Sequence, residues 1–474
     1  MNVLKDLQPQ NVFKFFEEIS AVPRGSGHTS KIRDYCVEFA KSRNLKYYTD
    51  GADNVVIYKN GSAGRENEEP VIIQGHTDMV WQKDDSSNID FFNDGLELCV
   101  DGDFVFAKGT TLGADDGIAV AMALALLDGD YNHPPLEIVF TSDEETGMDG
   151  AVALDTSVLK SKRMLNLDSE AEGTLWVSCA GGVRADFRLE CKKTNNNNPC
   201  YSIVVMGLHG GHSGAEIHNG YENANKVMGR ILAEINNIKF NVVDINGGSA
   251  DNAITRACEC IIASDSNVID AVETIGKTVC ESIAKTDPEA TVKVTEIEVF
   301  DYCFDDESTD NIVSLLNDLP SGVIAMSKNI DGLVETSLNL GVLKTNSNTV
   351  IYRFAVRSGV DTEKEVLCNK LREIGSKYPC NLDFSSSYPA WEFKEDSQLR
   401  DKMSEIYSDM FGKEMVVTAI HAGLECGLFC GKIKDLDCVS FGPDMFDIHT
   451  SSEKLSVSSA ERVWKYLLKV LETI

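Results

Sequence analysis

VIIQGH (71–76) and LEIVFTSD (136–143) are two apolar strand patterns, and DGIAVAMALALLDG (116–129) between them is a helix pattern that is apolar nearly all round. A helix with apolar residues on every side is expected to be largely buried. The alternation of buried strands with helices is typical of an α/β layered sheet. The sequence therefore predicts an α/β fold around these residues.

Further patterns extend this predicted sheet towards both ends of the chain. Residues 11–20 and 30–44 predict amphipathic helices, and residues 54–58 and 164–170 predict short strands. After residue 390 the patterns predict a helix at 396–412, a strand at 436–443 and a closing C-terminal helix. We therefore expect the C-terminal segment to complete the domain that the N-terminal segment begins.

The middle of the chain has a different pattern of strands and helices. A chain of 474 residues exceeds what one hydrophobic core usually serves. After a Gly-Gly pair and a loop with four consecutive asparagines (195–198), strands and helices continue in an α+β manner. We predict one domain from residues 1–181 plus 389–474, with an α+β domain of residues 182–388 inserted into it. Similar helix patterns at 221–235 and 362–378 predict that the inserted domain is duplicated.

Composition excludes several classes of partner. The formal net charge of −31 repels phosphate backbones and anionic lipid headgroups, so we expect neither nucleic acid nor membrane as a partner. No apolar run approaches the ~20 residues that a membrane span needs. The polar residues Met1 to Gln10 lack a signal-peptide pattern, so the sequence predicts a cytoplasmic location. The 14 scattered cysteines fit reduced thiols better than a disulfide framework.

Acids and histidines follow the predicted strands. They lie in QGHTDMV (74–80), GADDGIA (113–119), TSDEETG (141–147), NLDSE (166–170) and FGPDMFDIHTS (441–451). In an open α/β sheet, ligand sites lie outside the carboxyl ends of the strands, where such segments converge. Taken singly, each has an ordinary structural explanation, such as a hydrogen-bonded His-Asp pair or an aspartate at a helix N-cap.

Together these segments predict a metal site. Seven side chains are the candidates: His76, Asp78, Asp115, Glu144, Glu145, Asp168 and His449. So many like charges at one sheet edge are costly unless cations neutralise them. Two divalent ions held by imidazoles and carboxylates, with one carboxylate shared, would do so.

The sequence resembles the M20 metallopeptidase family, and within it the aminoacyl-histidine dipeptidase branch. The resemblance covers the whole chain and rests on GHTDMV, GADDGIA, SDEETGMDGA, LNLDSE, GLHGGHSGAEIH, HAGLECGLF and GPDMFDIHTSSEKLSVSS, in that order. It implies a catalytic domain with a mixed sheet between helices and an inserted lid domain. It also implies hydrolysis of Xaa-His and other small dipeptides with two zinc ions per subunit, for which Co²⁺ or Mn²⁺ would substitute.

The resemblance also implies roles for the candidate residues. His76 and Asp168 would bind one zinc ion, Glu145 and His449 the other, and Asp115 would bridge both. Asp78 would orient His76, and Glu144 would be the catalytic base. These roles are physically sensible, because a carboxylate beside a ligand histidine fixes its tautomer and a glutamate next to a ligand can reach the same cavity.

In the inserted domain the resemblance implies three substrate-binding residues. His212 in GLHGGHSGAEIH would stabilise the tetrahedral intermediate, and Asn252 and Arg357 would hold the terminal carboxylate of the substrate. A guanidinium fork matches a carboxylate, but Arg256 and Arg353 are alternatives that the sequence leaves open. Closure of this lid would gate catalysis and expel water.

Some features depart from the family pattern. Asp115-Asp116-Gly117 stands where many members have Asp-Met-Lys-Gly, which favours the dipeptidase branch. Thr255 and Phe446 stand where related sequences often have proline and histidine. An N-acyl-amino-acid deacylase or a tripeptidase is the alternative within the same scaffold. A non-catalytic relative is the alternative from another class, but it would be expected to lack Glu144 or one of the metal ligands, and all of these residues are present. We expect a small peptide as the substrate, and a homodimer is compatible with the sequence.

Overall fold

The computed structural model describes residues 3–235 and 237–474. The packing of Cα atoms divides the chain into two compact units. The first unit consists of the described residues of Met1–Ser178 together with Phe393–Ala419 and Leu424–Ile474, and the second of the described residues of Cys179–Glu392 together with Ile420–Gly423. The predicted division into catalytic and lid domains stays a prediction about what these units do.

The bounds of the elements are as follows. The α-helices are α1 (Gln10–Ser20), α2 (Ser30–Ser42), α3 (Ala114–Asp128), α4 (Asp149–Ala153), α5 (Ala224–Glu234), α6 (Ile269–Ile283), α7 (Asp306–Asp318), α8 (Asp361–Gly375), α9 (Gln398–Phe411), α10 (Glu425–Lys432) and α11 (Val457–Thr473). Short 3₁₀ turns are at Thr156–Val158 and Ile217–Asn219.

The strands up to the middle of the chain are β1 (Lys46–Thr49), β2 (Val55–Lys59), β3 (Val71–His76), β4 (Leu98–Asp101), β5 (Phe104–Ala107), β6 (Leu136–Thr141), β7 (Arg163–Asn166), β8 (Thr174–Cys179), β9 (Gly181–Glu190), β10 (Lys193–Asn195) and β11 (Cys200–Met206). The later strands are β12 (Asn241–Gly247), β13 (Cys258–Ala263), β14 (Thr291–Ile297), β15 (Tyr302–Phe304), β16 (Gly322–Met326), β17 (Val334–Asn346), β18 (Thr349–Ser358), β19 (Cys380–Tyr388), β20 (Val416–Ile420), β21 (Asp437–Ser440), β22 (Met445–Phe446) and β23 (Lys454–Ser456).

The first unit is built on a mixed sheet with the strand order β1-β2-β6-β3-β7-β21-β8-β20. Its centre is parallel, because β3 pairs in parallel with β6 and β7, and β7 pairs in parallel with β21. A small antiparallel sheet, β22-β23-β5-β4, accompanies it. The parallel centre brings the carboxyl ends of β3, β6 and β7 to the same edge.

Both faces of this central sheet are buried, which explains why its strands are apolar without alternation. Val55, Ile57 and Ile73 belong to a core that includes apolar residues of α1, α2, α3, α9 and α11. Their neighbours Val56 and Ile72 point to the opposite face and are equally buried. The helix α3 is buried along almost its whole length, as its all-apolar pattern predicts. The α/β fold with a mixed sheet between helices is thereby confirmed.

The second unit contains an antiparallel sheet with the strand order β14-β11-β13-β12-β17-β18-β9-β19, in which β16 adds to β17. On one face it shares a core with the helices α5 to α8. The predicted helix patterns at 221–235 and 362–378 correspond to α5 and α8. The segment VRADFRLEC lies mostly within β9, and part of the asparagine-rich loop forms β10. The duplication of this unit stays a prediction.

Candidate functional site

The acidic segments of the first unit meet where three parallel strands end. His76 is the last residue of β3, Glu144 and Glu145 follow β6, and Asp168 follows β7. Asp115 lies at the start of α3, and His449 lies between β22 and β23. Because β3, β6 and β7 are parallel neighbours, their ends place these side chains at one edge of the sheet.

Asp115 stands between the two histidines. Its Oδ1 lies 3.0 Å from Nε2 of His76, and its Oδ2 lies 3.1 Å from Nε2 of His449. Asp168 Oδ1 is 3.7 Å from Nε2 of His76, and Glu145 Oε1 is 3.0 Å from Nε2 of His449. The structure thus brings all five predicted ligands together, with one carboxylate oxygen of Asp115 towards each histidine. We call these five residues the ligand cluster.

The ligand cluster has the composition that a divalent metal site needs. Two imidazoles and three carboxylates are donors that suit zinc and similar ions. Ligand atoms of His76, Asp115 and Glu145 lie within 4.8 Å of one another, and so do those of His76, Asp116 and Asp168. Oδ1 of the buried Asp116 has no hydrogen-bond partner among the described residues. The residues present therefore fit bound cations.

The pKa values of side chains in the ligand cluster are shifted, because these side chains are buried and their charges lie close together. Burial raises the pKa of Asp168 well above its usual value. Hydrogen bonds to Asp115 and Glu145 raise the pKa of His449 to about 10. Burial acts to raise the pKa of Asp115 as well, but hydrogen bonds from His449 and His76 hold it below its usual value. Without cations, protons on the histidines thus compensate part of the negative charge.

Asp78 connects two parts of the site. Its Oδ1 lies 3.4 Å from Nδ1 of His76, on the side of the ring opposite to Asp115. The same carboxylate accepts hydrogen bonds from the backbone N–H of Glu144 at 3.1 Å and of Glu145 at 3.3 Å. It also accepts one from the Ser26 hydroxyl at 2.8 Å. Asp78 therefore fixes both the His76 ring and the turn that carries Glu144 and Glu145.

Glu144 has the titration expected of a group that exchanges protons near neutral pH. Desolvation by the surrounding protein raises its pKa to about 8, against the opposing charge of His76. The carboxyl groups of Glu425, Glu145 and Asp115 raise it further. A carboxyl group with such a pKa is suited to general acid–base chemistry.

The predicted substrate-binding residues lie in the second unit. Nδ1 of His212 accepts hydrogen bonds from the backbone N–H of Gly214 at 3.2 Å and of Ala215 at 2.9 Å. In the neutral ring these bonds place the proton on Nε2, which becomes a donor. Desolvation, and then the charge of Arg357, lower the pKa of His212. Asn252 is next to this turn, since its carbonyl accepts from the N–H of Ser213 at 2.8 Å.

The three candidate arginines have different partners. Arg353 is engaged with Asp186 through two hydrogen bonds of 2.8 Å. Arg256 donates from Nε to the carbonyl of Leu208 at 3.4 Å. Arg357 donates from one Nη to the Tyr388 hydroxyl at 2.9 Å, while its Nε is buried without a hydrogen-bond partner among the described residues. Arg353 thus has the least hydrogen-bonding capacity left for a ligand, and Arg357 is the one of the three with a buried donor that lacks a partner among the described residues.

Sequence reasoning assigned no role to several residues at these sites. In the first unit the fully buried Glu425 accepts hydrogen bonds from Gln74 at 2.5 Å and Thr141 at 2.7 Å. Its charge contributes to the raised pKa of Glu144. In the second unit Nε2 of the buried His421 lies 2.7 Å from the Ser337 hydroxyl. Both belong to HAGLECGLF, so the motif was the available signal.

Two of the departures from the family pattern, Thr255 and Phe446, make ordinary hydrogen-bonding and packing contacts. Thr255 is buried and donates from its hydroxyl to the carbonyls of Leu340 and Gly341, at 3.1 and 3.2 Å. Phe446 packs edge-on against Phe104 with its ring 5.9 Å away.

The cysteines form no disulfide among the described residues. No described helix is long and apolar enough to span a membrane.

Comparison with known proteins identifies the family. The model of peptidase family M20/M25/M40 matches residues 72–473. The chain belongs to this peptidase family. The family that the motifs predicted is therefore confirmed, and with it the assignment of the chain as a hydrolase that cleaves peptides.

Full-length relatives place the chain within the M20/M25/M40 family. It is 35% identical, over 482 aligned positions, to the cytosol non-specific dipeptidase of Escherichia coli (strain K12), covering 100% of this chain and 99% of the relative. It is 33% identical to the solved aminoacylhistidine dipeptidase of Vibrio alginolyticus, with a TM-score of 0.92 and coverage of 99% and 98%. An aminopeptidase of Bacillus cereus, 13% identical with a TM-score of 0.58 and coverage of 98% of each chain, shares the fold.

Proposed function

We propose that this peptidase is a cytoplasmic dipeptidase that uses two zinc ions to hydrolyse Xaa-His and other small dipeptides. The observation that carries the proposal is the position of Asp115, whose two carboxylate oxygens lie 3.0 and 3.1 Å from different histidines. Such an arrangement suits a carboxylate that bridges two ions. The dipeptidases from Escherichia coli and Vibrio alginolyticus, to which the chain is similar over its whole length, support the choice of substrate.

The ligand cluster would hold the ions in two sets. His76, Asp115 and Asp168 would bind one ion, and Asp115, Glu145 and His449 the other. Bound there, the ions would supply Lewis-acid polarisation of the scissile carbonyl and would lower the pKa of water. Asp78 would keep the His76 ring in the orientation in which Nε2 faces the cluster, because the carboxylate holds the Nδ1 side.

Glu144 would move the proton in the reaction. Its backbone is fixed by Asp78, and its pKa of about 8 lies near neutral pH. A carboxylate so poised takes a proton from the attacking water and delivers it to the leaving amine. Because Glu145 next to it belongs to the ligand cluster, Glu144 reaches the same region without being a ligand.

The second unit would recognise the substrate. The neutral His212 ring would donate from Nε2 to the oxygen that develops negative charge as the peptide bond is attacked. Arg357 and Asn252 would bind the terminal carboxylate of a dipeptide, the arginine through its unpartnered Nε. A site that binds a free carboxylate next to the scissile bond favours dipeptides over longer chains.

A substrate panel tests this proposal. The zinc-reconstituted protein is assayed with β-Ala-His, several Xaa-His and non-histidine dipeptides, a tripeptide and an N-acetyl amino acid, each with and without a chelator. We expect cleavage of dipeptides that the chelator abolishes, and much slower cleavage of the other two compounds. Preference for the tripeptide or the N-acetyl amino acid would replace the dipeptidase proposal by the corresponding alternative within the family.

A further inference from the structure

The ligand cluster is assembled from chain segments that are far apart in sequence. Asp115 and His449, which face each other at 3.1 Å, are 334 residues apart. His76 is held in β3 by parallel pairing with β6 and β7. His449 has no such support, because it lies in the loop between β22 and β23 with a backbone φ of 62°. The pairing of β22, β23 and β5 holds the two ends of this loop, but it includes neither His449 nor Asp115.

Glu453, at the end of that loop, is the connection. Its side chain is 2% exposed, and both of its oxygens accept backbone hydrogen bonds from the segment that leads to Asp115. Oε2 accepts from Leu112 at 2.8 Å and Gly113 at 3.0 Å, and Oε1 accepts from Ala114 at 2.8 Å and Asp115 at 3.4 Å. A buried carboxylate with four N–H donors is strongly held in place.

Arg24 completes the connection from the other side. It is 2% exposed and donates from Nη1 to the carbonyls of Thr77 at 3.1 Å and Asp78 at 3.2 Å, and from Nη2 to the carbonyl of Gly113. Gly113 therefore gives its N–H to Glu453 and its carbonyl to Arg24. A Cβ on Gly113 would lie 2.5 Å from Nη2 of Arg24, and the φ of this residue is +64°. No side chain fits between the two groups.

We propose that Glu453 is a positioning residue of the metal centre, which locks the His449 loop to the Asp115 segment and thereby shapes the site formed by Asp115, Glu145 and His449. Both carboxylate oxygens of Glu453 are engaged by backbone N–H groups, so it would act through the ligands and not on the substrate or the ions itself. The inference rests on the proposed two-metal centre. It adds that the ligand geometry of one of the two sites depends on a carboxylate outside the ligand cluster.

The connection has an unequal effect on the two sites. Loss of Glu453 would release two ligands of one site, Asp115 and His449. The other site would lose support for Asp115 alone, because His76 belongs to β3 and Asp168 lies two residues past the end of the paired strand β7. We therefore expect the ion held by His449 to be weakened more than the ion held by His76 and Asp168.

Glu137 offers a matched control in the same unit. It is 4% exposed and accepts backbone hydrogen bonds from Lys160, at 3.0 Å to each oxygen, and from Ser161 at 3.1 Å. It lies at the start of β6, whereas Glu144 and Glu145 follow the end of that strand. Glu137→Gln therefore disturbs the same kind of buried carboxylate without touching the segments that carry ligands.

The experiment compares Glu453→Gln, Glu137→Gln and the unchanged protein, each freed of metal and titrated with Zn²⁺ against a chromophoric chelator in the absence of substrate. Both variants should lower the Tm of the metal-free protein. Only Glu453→Gln should weaken one of two bound ions, by ~10- to 100-fold, the range for residues that orient ligands. Its activity should then rise with added Zn²⁺ to a value within several-fold of the unchanged protein.

Two results would overturn the proposal. One is equal Zn²⁺ affinity in Glu453→Gln and the unchanged protein, and the other is an equal loss of affinity in both variants, which would make Glu453 a general stabilising group. If Glu453→Gln does not fold, Glu453→Asp, which keeps the charge but is one methylene shorter, takes its place with the same criteria. Failure of the unchanged protein to bind two ions would instead contradict the proposed metal centre.

Discussion

The two clusters of candidate residues differ in their charge and in the elements that carry them. The first cluster, in the first unit, is the ligand cluster with Asp78 and Glu144. The second cluster, in the second unit, consists of His212, Asn252, Arg357 and His421. In the first unit, carboxylates outnumber histidines, and the ligand cluster lies at the ends of parallel strands. In the second unit, the charge of Arg357 lowers the pKa of both His212 and His421, after the larger effect of burial. The first cluster raises the pKa of His449, whereas the second cluster lowers the pKa of His212.

This difference corresponds to two kinds of ligand. An excess of buried carboxylates attracts cations and binds them in place of protons. A cluster with a guanidinium and neutral histidines offers hydrogen-bond donors to carboxylate or carbonyl oxygens. We therefore expect substitutions in the first cluster to change metal content or proton transfer, and substitutions in the second to change substrate recognition with the metals still bound.

The largest expected effect separates chemistry from metal binding within the first cluster. Glu144→Gln keeps the shape of the side chain but removes the proton acceptor, so kcat should fall by ~10²–10⁴ while the metal content stays at that of the unchanged protein. The matched variant Glu145→Gln, one residue along, should lose metal as well. Loss of metal in Glu144→Gln with full retention in Glu145→Gln would mean that the two roles are exchanged. Elemental analysis and single-turnover kinetics measure both quantities.

A substitution in the second cluster should reduce turnover without loss of metal. His212→Ala removes the Nε2–H donor, and the loss of one donor to a developing oxyanion costs ~10²–10³ in kcat. Metal content should not change, because His212 belongs to the second unit and is not in the ligand cluster. A fall in metal content parallel to the fall in kcat would contradict the separation of the two clusters.

Mixing variants tests whether each chain uses its own His212. When His212→Ala protein is mixed with Glu144→Gln protein, we expect no recovery of activity, because each chain should supply its own base and its own histidine. Recovery of activity in the mixture would show that the sites are shared between subunits. Size-exclusion chromatography of the mixture, run in parallel, reports whether the chains associate at all.

A smaller effect is expected for the arginine that reads the carboxylate. Arg357→Lys keeps the charge but loses the fork, so KM for dipeptides should rise by about tenfold, with a smaller change in kcat. Arg353→Lys is the control, because its guanidinium is already engaged with Asp186. A rise in KM for Arg353→Lys with none for Arg357→Lys would reverse the assignment.

The smallest expected effect concerns the pH dependence of the free energy of unfolding, to which His421 of the second cluster contributes. Burial lowers the pKa of His421 to about 3. As pH falls below the unfolded value of about 6.5, the unfolded chain therefore binds the proton first and folding is disfavoured. From pH 7 to 5, the unchanged protein should lose about 1–2 kcal/mol more stability than His421→Gln, which cannot take up this proton. Urea unfolding at both pH values measures the difference, and equal losses would contradict the neutral buried histidine.

Sequence reasoning and structure agree most closely where side chains follow strands. His76, Glu145 and Asp168 were found from short motifs that follow parallel strands, and such motifs have a defined place in the fold. Asp115, at the start of α3, and His449, in the loop between β22 and β23, were found from motifs alone. The family resemblance then assigned their roles. The structure brings these residues together, although their functions stay predictions until metal is measured.

The groups that support the ligands could not be predicted in the same way. Glu453 was quoted within a motif, but its four hydrogen-bond partners are more than 300 residues away in sequence. Arg24 lies outside every quoted motif, and its partners are backbone carbonyls, which leave no trace in the residue types. The choice of Arg357 over Arg353 likewise needed the position of Asp186, which only the strand register of β9 and β18 supplies.

The central claim is that one carboxylate, Asp115, is shared by two metal ions. The most direct measurement is the number of Zn²⁺ ions bound per chain after equilibrium dialysis, with activity recorded on the same samples. We predict two ions per chain in the unchanged protein, one in His449→Ala, fewer than one in Asp115→Ala, and no activity after chelation until Zn²⁺, Co²⁺ or Mn²⁺ is returned. Full activity with no bound metal, or two ions retained by Asp115→Ala, would contradict the claim.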